Sequence, residues 1–514
     1  MIEAQVHQHL RAFLRECREP TWPHHLTMAR LVARALRLGR SALLQVGGLS
    51  AYQGQYRLSY LIALLMWPGP AILVVPDRIR QTILMQDLPR LRESLPLNKP
   101  IQLGERWPSP DFTGILITTP EAWFAHHFNH GQAFPEGLPT VIDDADNLDK
   151  WVRDSLTAEI SPSAWETLTL AFPDHQELIR DTRVFLTHSA FQHPVNPYHC
   201  YLLSQAERER LRQLQDTLTQ VSGSAMAAAN RMPPLWKRFW QGLQASDSLL
   251  WYTIDREKGQ IKLHCSPIDV APFLAPLWQR QPVVLIGAAL DQDAKADIFR
   301  HSYGLDDLTC LKFAPHRQND AIRLYLPDHL PLPNTPQFQA EMQLETRRLL
   351  TLVKPGFLGP TVILADDLPL KQQLAANLAG EFGSRVQVDH SSHDPDAILV
   401  CGWKYWHHHR ASLPAPGLLV IATLPLPSLE NPLVAGRVAY HKRKRQDWFR
   451  LYLFPTAVSE LQRAVAPLRA NQGMVALLDT RVHHRSYGRQ ILEALSPSAC
   501  SRKLKADWEL DNNI

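Results

Sequence analysis

Apolar residues fall along this chain in short unbroken runs, separated by longer stretches with helical spacing. In 26–38, LTMARLVARALRL, they recur at intervals of three and four, which predicts an amphipathic helix. SALLQVGGLS (41–50) reads as a short buried strand running into a glycine turn, and LSYLIALLM (58–66) as a buried helix. AILVVP (71–76) is a continuous apolar run ended by proline, the pattern of a strand covered on both faces. GILITTP (114–120) repeats it, and so does TVIDDADN (140–147), where the strand ends in acids. Strands alternating with helices predict an α/β fold with a parallel sheet, whose ligands sit at the C-terminal strand ends.

From 150 to about 250 the chain becomes rich in Leu, Gln, Arg and Trp with helical spacing, as in SQAERERLRQLQDTLTQV, so a mostly helical insertion is expected. The α/β pattern is expected to resume at LLWYTID (249–255) and continue in PVVLIGAAL (282–290). LPDHLPLPNTPQ (326–337) is Pro-rich and polar, a connector signal. A second α/β series follows: TVILAD (361–366), AILVCG (397–402), GLLVIATLPLP (417–427) and GMVALLD (473–479). This predicts two lobes with parallel sheets, the first carrying the insertion. The expected boundaries are 1–149, 150–248 for the insertion, 249–318 for the return of the first lobe, and 319–514.

Composition narrows the picture only modestly. The chain has 514 residues, 45% hydrophobic, with a formal net charge of +4. Charge this weak must be gathered in patches if phosphate backbones are bound. No run reaches the roughly 18 apolar residues of a membrane span, and the N-terminus is polar, so a soluble cytoplasmic protein with no membrane role is expected. The six cysteines are scattered and form no CxxC pair, which signals neither zinc nor an iron–sulfur cluster.

Several stretches, in order, resemble the DinG/XPD branch of superfamily 2 helicases. ATLPLPSLENPLVAGR (422–437) is similar to the segment after that family's motif V, and GMVALLDTRVHHRSYGRQILEAL (473–495) to its last strand and helix. LIGAALDQDAKADIFRHSYGLDD (285–307) resembles motif III and its sequel, and LYLPDHLPLPN (324–334) the start of the second lobe. The resemblance implies two RecA-like lobes, ATP and Mg²⁺ as cofactors, and unwinding of DNA.

The residues at the implied nucleotide site depart from what that chemistry needs. A phosphate-binding loop uses glycines, a lysine for the β- and γ-phosphates, and Ser or Thr for Mg²⁺. Here Gly54 stands for the glycine, Gln55 for the lysine and Tyr56 for the hydroxyl, with Arg57 next in line as a phosphate ligand. The acidic motif is Asp143-Asp144-Ala145-Asp146. Asp143 would hold Mg²⁺ if ATP binds, and Asp144 is a shorter stand-in for the catalytic Glu. Helix capping is the bland reading of these acids. In the motif V position, Tyr405 and Trp406 are followed by His407, His408, His409 and Arg410, expected as a solvated turn rather than a metal site. In motif VI, Gln462 and Arg469 are kept while Ala466 stands where the family has its arginine finger. Loss of the lysine, the Mg²⁺ hydroxyl and the finger removes most of the positive charge that phosphoryl transfer uses.

For nucleic acid, Lys442, Arg443, Lys444 and Arg445 form the densest basic run, beside Trp448 and Phe449. Thr118 and Thr119 resemble the family's motif that contacts the DNA backbone, and Tyr405 and Trp406, which keep the motif V aromatic pair, are also expected at nucleic acid. Residues 47–143 contain no cysteine, so the family's iron–sulfur cluster is not expected. The reading is a DinG-like helicase homologue that binds single-stranded or tailed DNA, with other proteins as further partners, and with ATP hydrolysis weak or lost. An active motor with a rebuilt site and a non-enzymatic scaffold stand as the alternatives.

Overall fold

The computed structural model describes residues 1–16, 22–94, 98–129, 133–220, 231–306, 308–315, 320–352, 359–390 and 393–504. Cys17 lies outside them. Apart from LLWYTID, each apolar run read above as a strand becomes a strand buried along its whole length. The first parallel sheet is built from β1 (Ala42–Val46), β2 (Ala71–Val74), β3 (Ile101–Leu103), β4 (Ile115–Thr118) and β5 (Thr140–Asp143). The chain then leaves this sheet for β6 (Ala158–Ile160), β7 (Cys200–Leu202), β8 (Ser248–Asp255) and β9 (Gln260–Pro267). It returns with β10 (Val283–Gly287) and β11 (Thr309–Phe313), giving the order β11-β1-β10-β5-β2-β4-β3.

A second parallel sheet follows, from β12 (Ile322–Tyr325), β13 (Thr361–Leu364), β14 (Val386–Val388), β15 (Ile398–Cys401), β16 (Leu418–Ile421), β17 (Met474–Leu477) and β18 (Ser498–Ser501). Its order is β14-β15-β13-β16-β17-β12-β18. Helices cover both faces of each sheet, as parallel strands require. The first sheet has Trp123, Phe124 and Leu285 packed on one face and Leu44, Tyr60 and Ile286 on the other. Among the described residues no helix is long and apolar enough to cross a membrane.

Two segments differ from the sequence expectation. LLWYTID does not resume the parallel sheet. It forms most of β8, which pairs antiparallel with β7 and β9 in a separate four-stranded sheet, β6-β9-β8-β7. The connection between β8 and β9 spans only 256–259, too short for a parallel crossover, and Gly259 makes the turn at φ +62°. The insertion therefore mixes this sheet with helices such as Gln176–Gln192 and Pro234–Gln244. Its Trp236, Phe239 and Trp240 are buried, with Trp236 edge-on to Trp165 at 4.7 Å. The Pro-rich stretch 326–337 is not the joint between the lobes either. It follows β12, already in the second sheet, so the crossing from one sheet to the other lies between β11 and β12.

Candidate functional site

The C-terminal ends of β1, β5 and β10 face the second lobe across a cleft of about 550 Å³. After β1, the glycine turn enters a short helix, Gly48–Gln53, and closes it at Gly54. Both glycines have φ +70°. A side chain at Gly48 would collide with the Asp320 carboxylate, and one at Gly54 with the Arg57 guanidinium. Both glycines adopt a backbone that other residues rarely take, and the space beside each is occupied by this chain's own side chains.

The acid at the end of β5 shows the same substitution of protein for ligand. Asp143 is fully buried. The Tyr56 hydroxyl donates to its Oδ1 at 2.6 Å and the Tyr60 hydroxyl to its Oδ2 at 2.8 Å. The Asp144 backbone N–H donates to Oδ1 at 2.8 Å, and Arg57 Nε lies 3.9 Å from Oδ2. Arg57 also approaches Asp87 at 3.7 Å. Burial raises the Asp143 pKa, while Arg57 and the two phenols pull against it. Burial likewise pushes both phenols far up, so they remain donors. Burial disfavours the Arg57 charge, but the phenols and carboxylates around it hold its pKa above the ordinary value. Gln55 turns aside, donating to Gln53 at 2.8 Å.

Asp143 is the residue that would carry Mg²⁺ beneath a nucleotide. Both its oxygens are taken by phenols, and Tyr56 itself fills the position of the second metal ligand. This donor set does not fit Mg²⁺–ATP: the hard oxygen ligands that Mg²⁺ takes are here bonded to one another.

The remaining acids also have structural work. Asp146 accepts from the N–H groups of Ala288 and Ala289, at 2.7 and 2.6 Å, tying the end of β5 to the end of β10. Asp144 adopts a left-handed backbone, φ +64°, and accepts from the Asn147 side chain at 2.7 Å. Burial, with Asp146 beside it, raises the Asp144 pKa to about 6. Neither acid caps the helix Leu148–Leu156, whose N-cap is Asn147 without a side-chain bond.

On the other lobe, the expected solvated turn at 405–410 is a helix, Trp403–His409. Trp406 is fully buried and donates to the Ala464 carbonyl, so it is core and not a surface for bases. His407 faces Glu460 in an ion-pair position. Arg469 is buried, and its guanidinium donates to the carbonyls of Asp320, Leu495, Ser496 and Pro497. Gln462 donates to the Ala494 carbonyl at 3.1 Å. The two retained motif VI side chains therefore hold backbone together within their lobe. Contacts across the cleft come from elsewhere. Arg463 donates to Asn147 at 3.1 Å, Tyr52 to the Arg410 carbonyl at 3.3 Å, and Gln292 to the Gln490 carbonyl at 3.3 Å.

Of the residues expected at nucleic acid, Thr118 is buried, and Thr119 caps the helix Pro120–Phe128 through the Ala122 N–H. Tyr405 is partly exposed and stacks on His409 at 4.1 Å. Lys442, Arg443, Lys444 and Arg445 end the helix Pro432–Arg443 and are all exposed. Lys442 stands over the Trp448 ring and Lys444 over Tyr440, at 5.4 and 5.6 Å. Lys444 also comes within 3.6 Å of Asp247 in the insertion. Among the described residues no cluster of His, Cys, Asp or Glu is arranged to hold a metal ion.

Tyr60, which sequence reading passed over, closes the site with Tyr56. The signal was there: Tyr60 lies four residues after Tyr56, on one face of a helix otherwise nearly all apolar.

Two seven-stranded parallel sheets facing across a cleft, the first interrupted by an insertion, define a two-lobed helicase fold. A structure described as an XPD helicase superposes with TM-score 0.61, covering 94% of this chain and all of that one at 13% identity. An Xpd4 structure from S. tokodaii gives 0.56, covering 93% of this chain and all of that one, also at 13% identity. The ATP-dependent DNA helicase YoaA of Haemophilus influenzae is 24% identical over 270 residues, covering 49% of this chain and 41% of that protein. The 3'-5' exonuclease DinG of Bacillus subtilis is 22% identical over 293 residues, covering 51% of this chain and 31% of that protein. No family model matches. The matches thus span less than half the length of these curated relatives. The chain shares the two-lobed fold of XPD helicases and is similar, at low identity and over about half its length, to proteins named as the helicase YoaA and the exonuclease DinG.

Proposed function

We propose that this chain is a helicase-derived nucleic-acid-binding protein in which ATP hydrolysis has been lost or reduced to a residue. The observation that carries this is the enclosure of Asp143 by Tyr56 and Tyr60. A metal there would have to displace two hydrogen bonds to a buried carboxylate, each worth about 1.5–3 kcal/mol. No lysine or arginine finger supplies compensating attraction for a triphosphate. The scaffold that carries DNA in the relatives' name is retained, and Lys442 to Arg445, with Trp448 nearby, give an exposed basic and aromatic strip suited to single-stranded or tailed DNA. Thr118 and Trp406 are left out of this interface because both are buried.

The test is fluorescence anisotropy with a labelled single strand over a range of salt, with ATP turnover followed on the same preparation. Binding is expected to weaken with salt. Replacing Lys442, Arg443, Lys444 and Arg445 by Ala should flatten the log–log salt slope by about 0.7 per phosphate contact removed. Unchanged affinity and slope in that variant would sink the assigned interface. Turnover that needs DNA and disappears in Asp143→Ala would replace this reading with an active motor.

A further inference from the structure

We infer that the insertion is a clasp: it belongs by chain connection to the first lobe, is packed onto the second, and so holds the two lobes at one fixed separation. This goes beyond the reading above and does not depend on whether ATP is turned over.

Among the described residues, every cluster of buried apolar side chains but one stays within a single lobe or within the insertion. The exception crosses from the insertion to the second lobe. Leu249 of β8 and Ile268, just past β9, are buried with Tyr440 of the second-lobe helix Pro432–Arg443. Leu202, Trp251 and Leu433 pack around them. The Trp251 ring stacks on His264 at 5.0 Å, which fixes it from the insertion side.

Gly436 shows how closely the two parts approach. It is buried in the middle of that helix, where glycine is less favourable than alanine. A Cβ there would lie 2.4 Å from the Leu249 Cδ1 and 3.4 Å from the Leu202 Cδ1. The missing side chain is what lets β7 and β8 lie against the helix backbone.

Charged groups border the seam. Lys444 Nζ lies 3.6 Å from Asp247 of the insertion. Arg437 Nη1 lies 3.8 Å from Asp149, on the first-lobe helix Leu148–Leu156. Arg153 Nε donates to both Asp149 oxygens at 2.8 and 2.9 Å, and its Nη1 donates to the carbonyls of Pro267 and Ile268 at 3.0 Å each. One arginine–carboxylate–arginine chain thus joins the first lobe, the end of the insertion and the second lobe. Burial works against the Asp149 charge, but Arg153 and Arg437 outweigh it and hold its pKa below the ordinary value.

The seam differs in kind from the hydrogen bonds that cross the cleft. Those of Arg463 to Asn147, Tyr52 to the Arg410 carbonyl and Gln292 to the Gln490 carbonyl are single polar bonds, which water can replace at little net cost. Exposing packed apolar surface has no such compensation, so opening of the lobes is opposed at the seam. Domains that swing do so about segments with few packed contacts. Here the segment that would swing is joined to one lobe by the chain and to the other by packing.

The experiment is small-angle X-ray scattering of the full chain, alone and with a non-hydrolysable ATP analogue and Mg²⁺, beside Gly436→Glu. That variant puts a charged side chain into the apolar seam while giving the helix a better former. The wild type is expected to keep one radius of gyration under both conditions, and Gly436→Glu to show a larger one. Amide exchange in β7 and in the helix Pro432–Arg443 should rise about tenfold or more in the variant, with β13 and β16 unchanged. Unchanged scattering and exchange in the variant would overturn the clasp, as would a nucleotide-dependent change in the scattering of the wild type. If Gly436→Glu does not fold, Leu249→Cys combined with Gly436→Cys takes its place. A disulfide that forms in nearly all chains and leaves the scattering unchanged is then expected, and a pair that stays reduced in an oxidising buffer would overturn the inference. ATP turnover by a clasped wild type would overturn the proposed function and leave the clasp standing.

Discussion

Each lobe buries one acid at the C-terminal end of a strand inside its parallel sheet, and the two are held in opposite ways. In the second lobe, Asp479 lies just beyond β17. Arg481 grips it in fork fashion at 2.5–3.0 Å, and the Leu424 N–H completes its shell at 2.8 Å. That carboxylate is a charged structural clamp. In the first lobe, Asp143 receives two phenols and one backbone N–H, with its arginine at 3.9 Å and not in hydrogen-bonding contact. Its ionised form is disfavoured by burial. Asp479 takes a bidentate arginine, whereas Asp143 is enclosed by neutral donors with its arginine held farther off.

The sharpest way to break this comparison is to remove each acid in turn. Asp479→Ala leaves Arg481 without its partner and should cost roughly 3 kcal/mol or more in urea unfolding. Asp143→Asn, which keeps the shape and one acceptor, should cost less, about 2 kcal/mol at pH 8. A carboxyl whose pKa rises on folding contributes less as pH climbs above the unfolded value, so the loss at pH 8 is the smaller of the two. Equal losses in the two variants would refute the distinction.

Next in size is Tyr56→Phe, which keeps the ring but removes one donor to Asp143, at about 1–2 kcal/mol. Its sharper counterpart is Tyr56→Thr, which restores a metal-ligand hydroxyl and opens the carboxylate. That variant, and not the wild type, should show Mg²⁺-dependent stabilisation in thermal melts. Stabilisation of the wild type by Mg²⁺ would show that Asp143 is not sealed.

Smaller effects come from titration. The Asp144 pKa is raised to about 6, so folded chains hold a proton that unfolded chains release, and stability falls as pH rises from about 4 to 6. Asp144→Asn should therefore raise the melting temperature at pH 8 and change it little at pH 4. Burial lowers His25 and His264 to about 4 and His127 to about 3. These histidines stay neutral in the fold and charge on unfolding, so their contribution is full above pH 6.5 and is lost as pH falls toward 4. His25→Asn, keeping a partner for the Ser59 hydroxyl now bonded at 2.8 Å, should flatten that acid limb.

The strands were legible because parallel strands covered on both faces are written as unbroken apolar runs. β2, β4, β5, β10, β13, β15, β16 and β17 could each be read that way. The edge strands β3 and β14 were not, since their residues are largely exposed and carry no such run. β8 misled because its LLW start imitates a buried strand, although its alternating burial fits a sheet with one covered face. At the site, the missing lysine and arginine finger were visible as substitutions. What replaced them was not. That Arg469 serves four carbonyls, that Trp406 is core and that Thr119 is a helix cap are consequences of three-dimensional neighbours. Tyr60 belongs to the site only because a separate element brings it to the end of β5.

The most direct measurement is steady-state ATP hydrolysis by the full chain with Mg²⁺ and saturating single-stranded DNA, run beside Asp143→Ala. The sealed site described here is expected to give the same background rate in both proteins, with no response to DNA. A DNA-stimulated rate in the wild type that Asp143→Ala abolishes would contradict it.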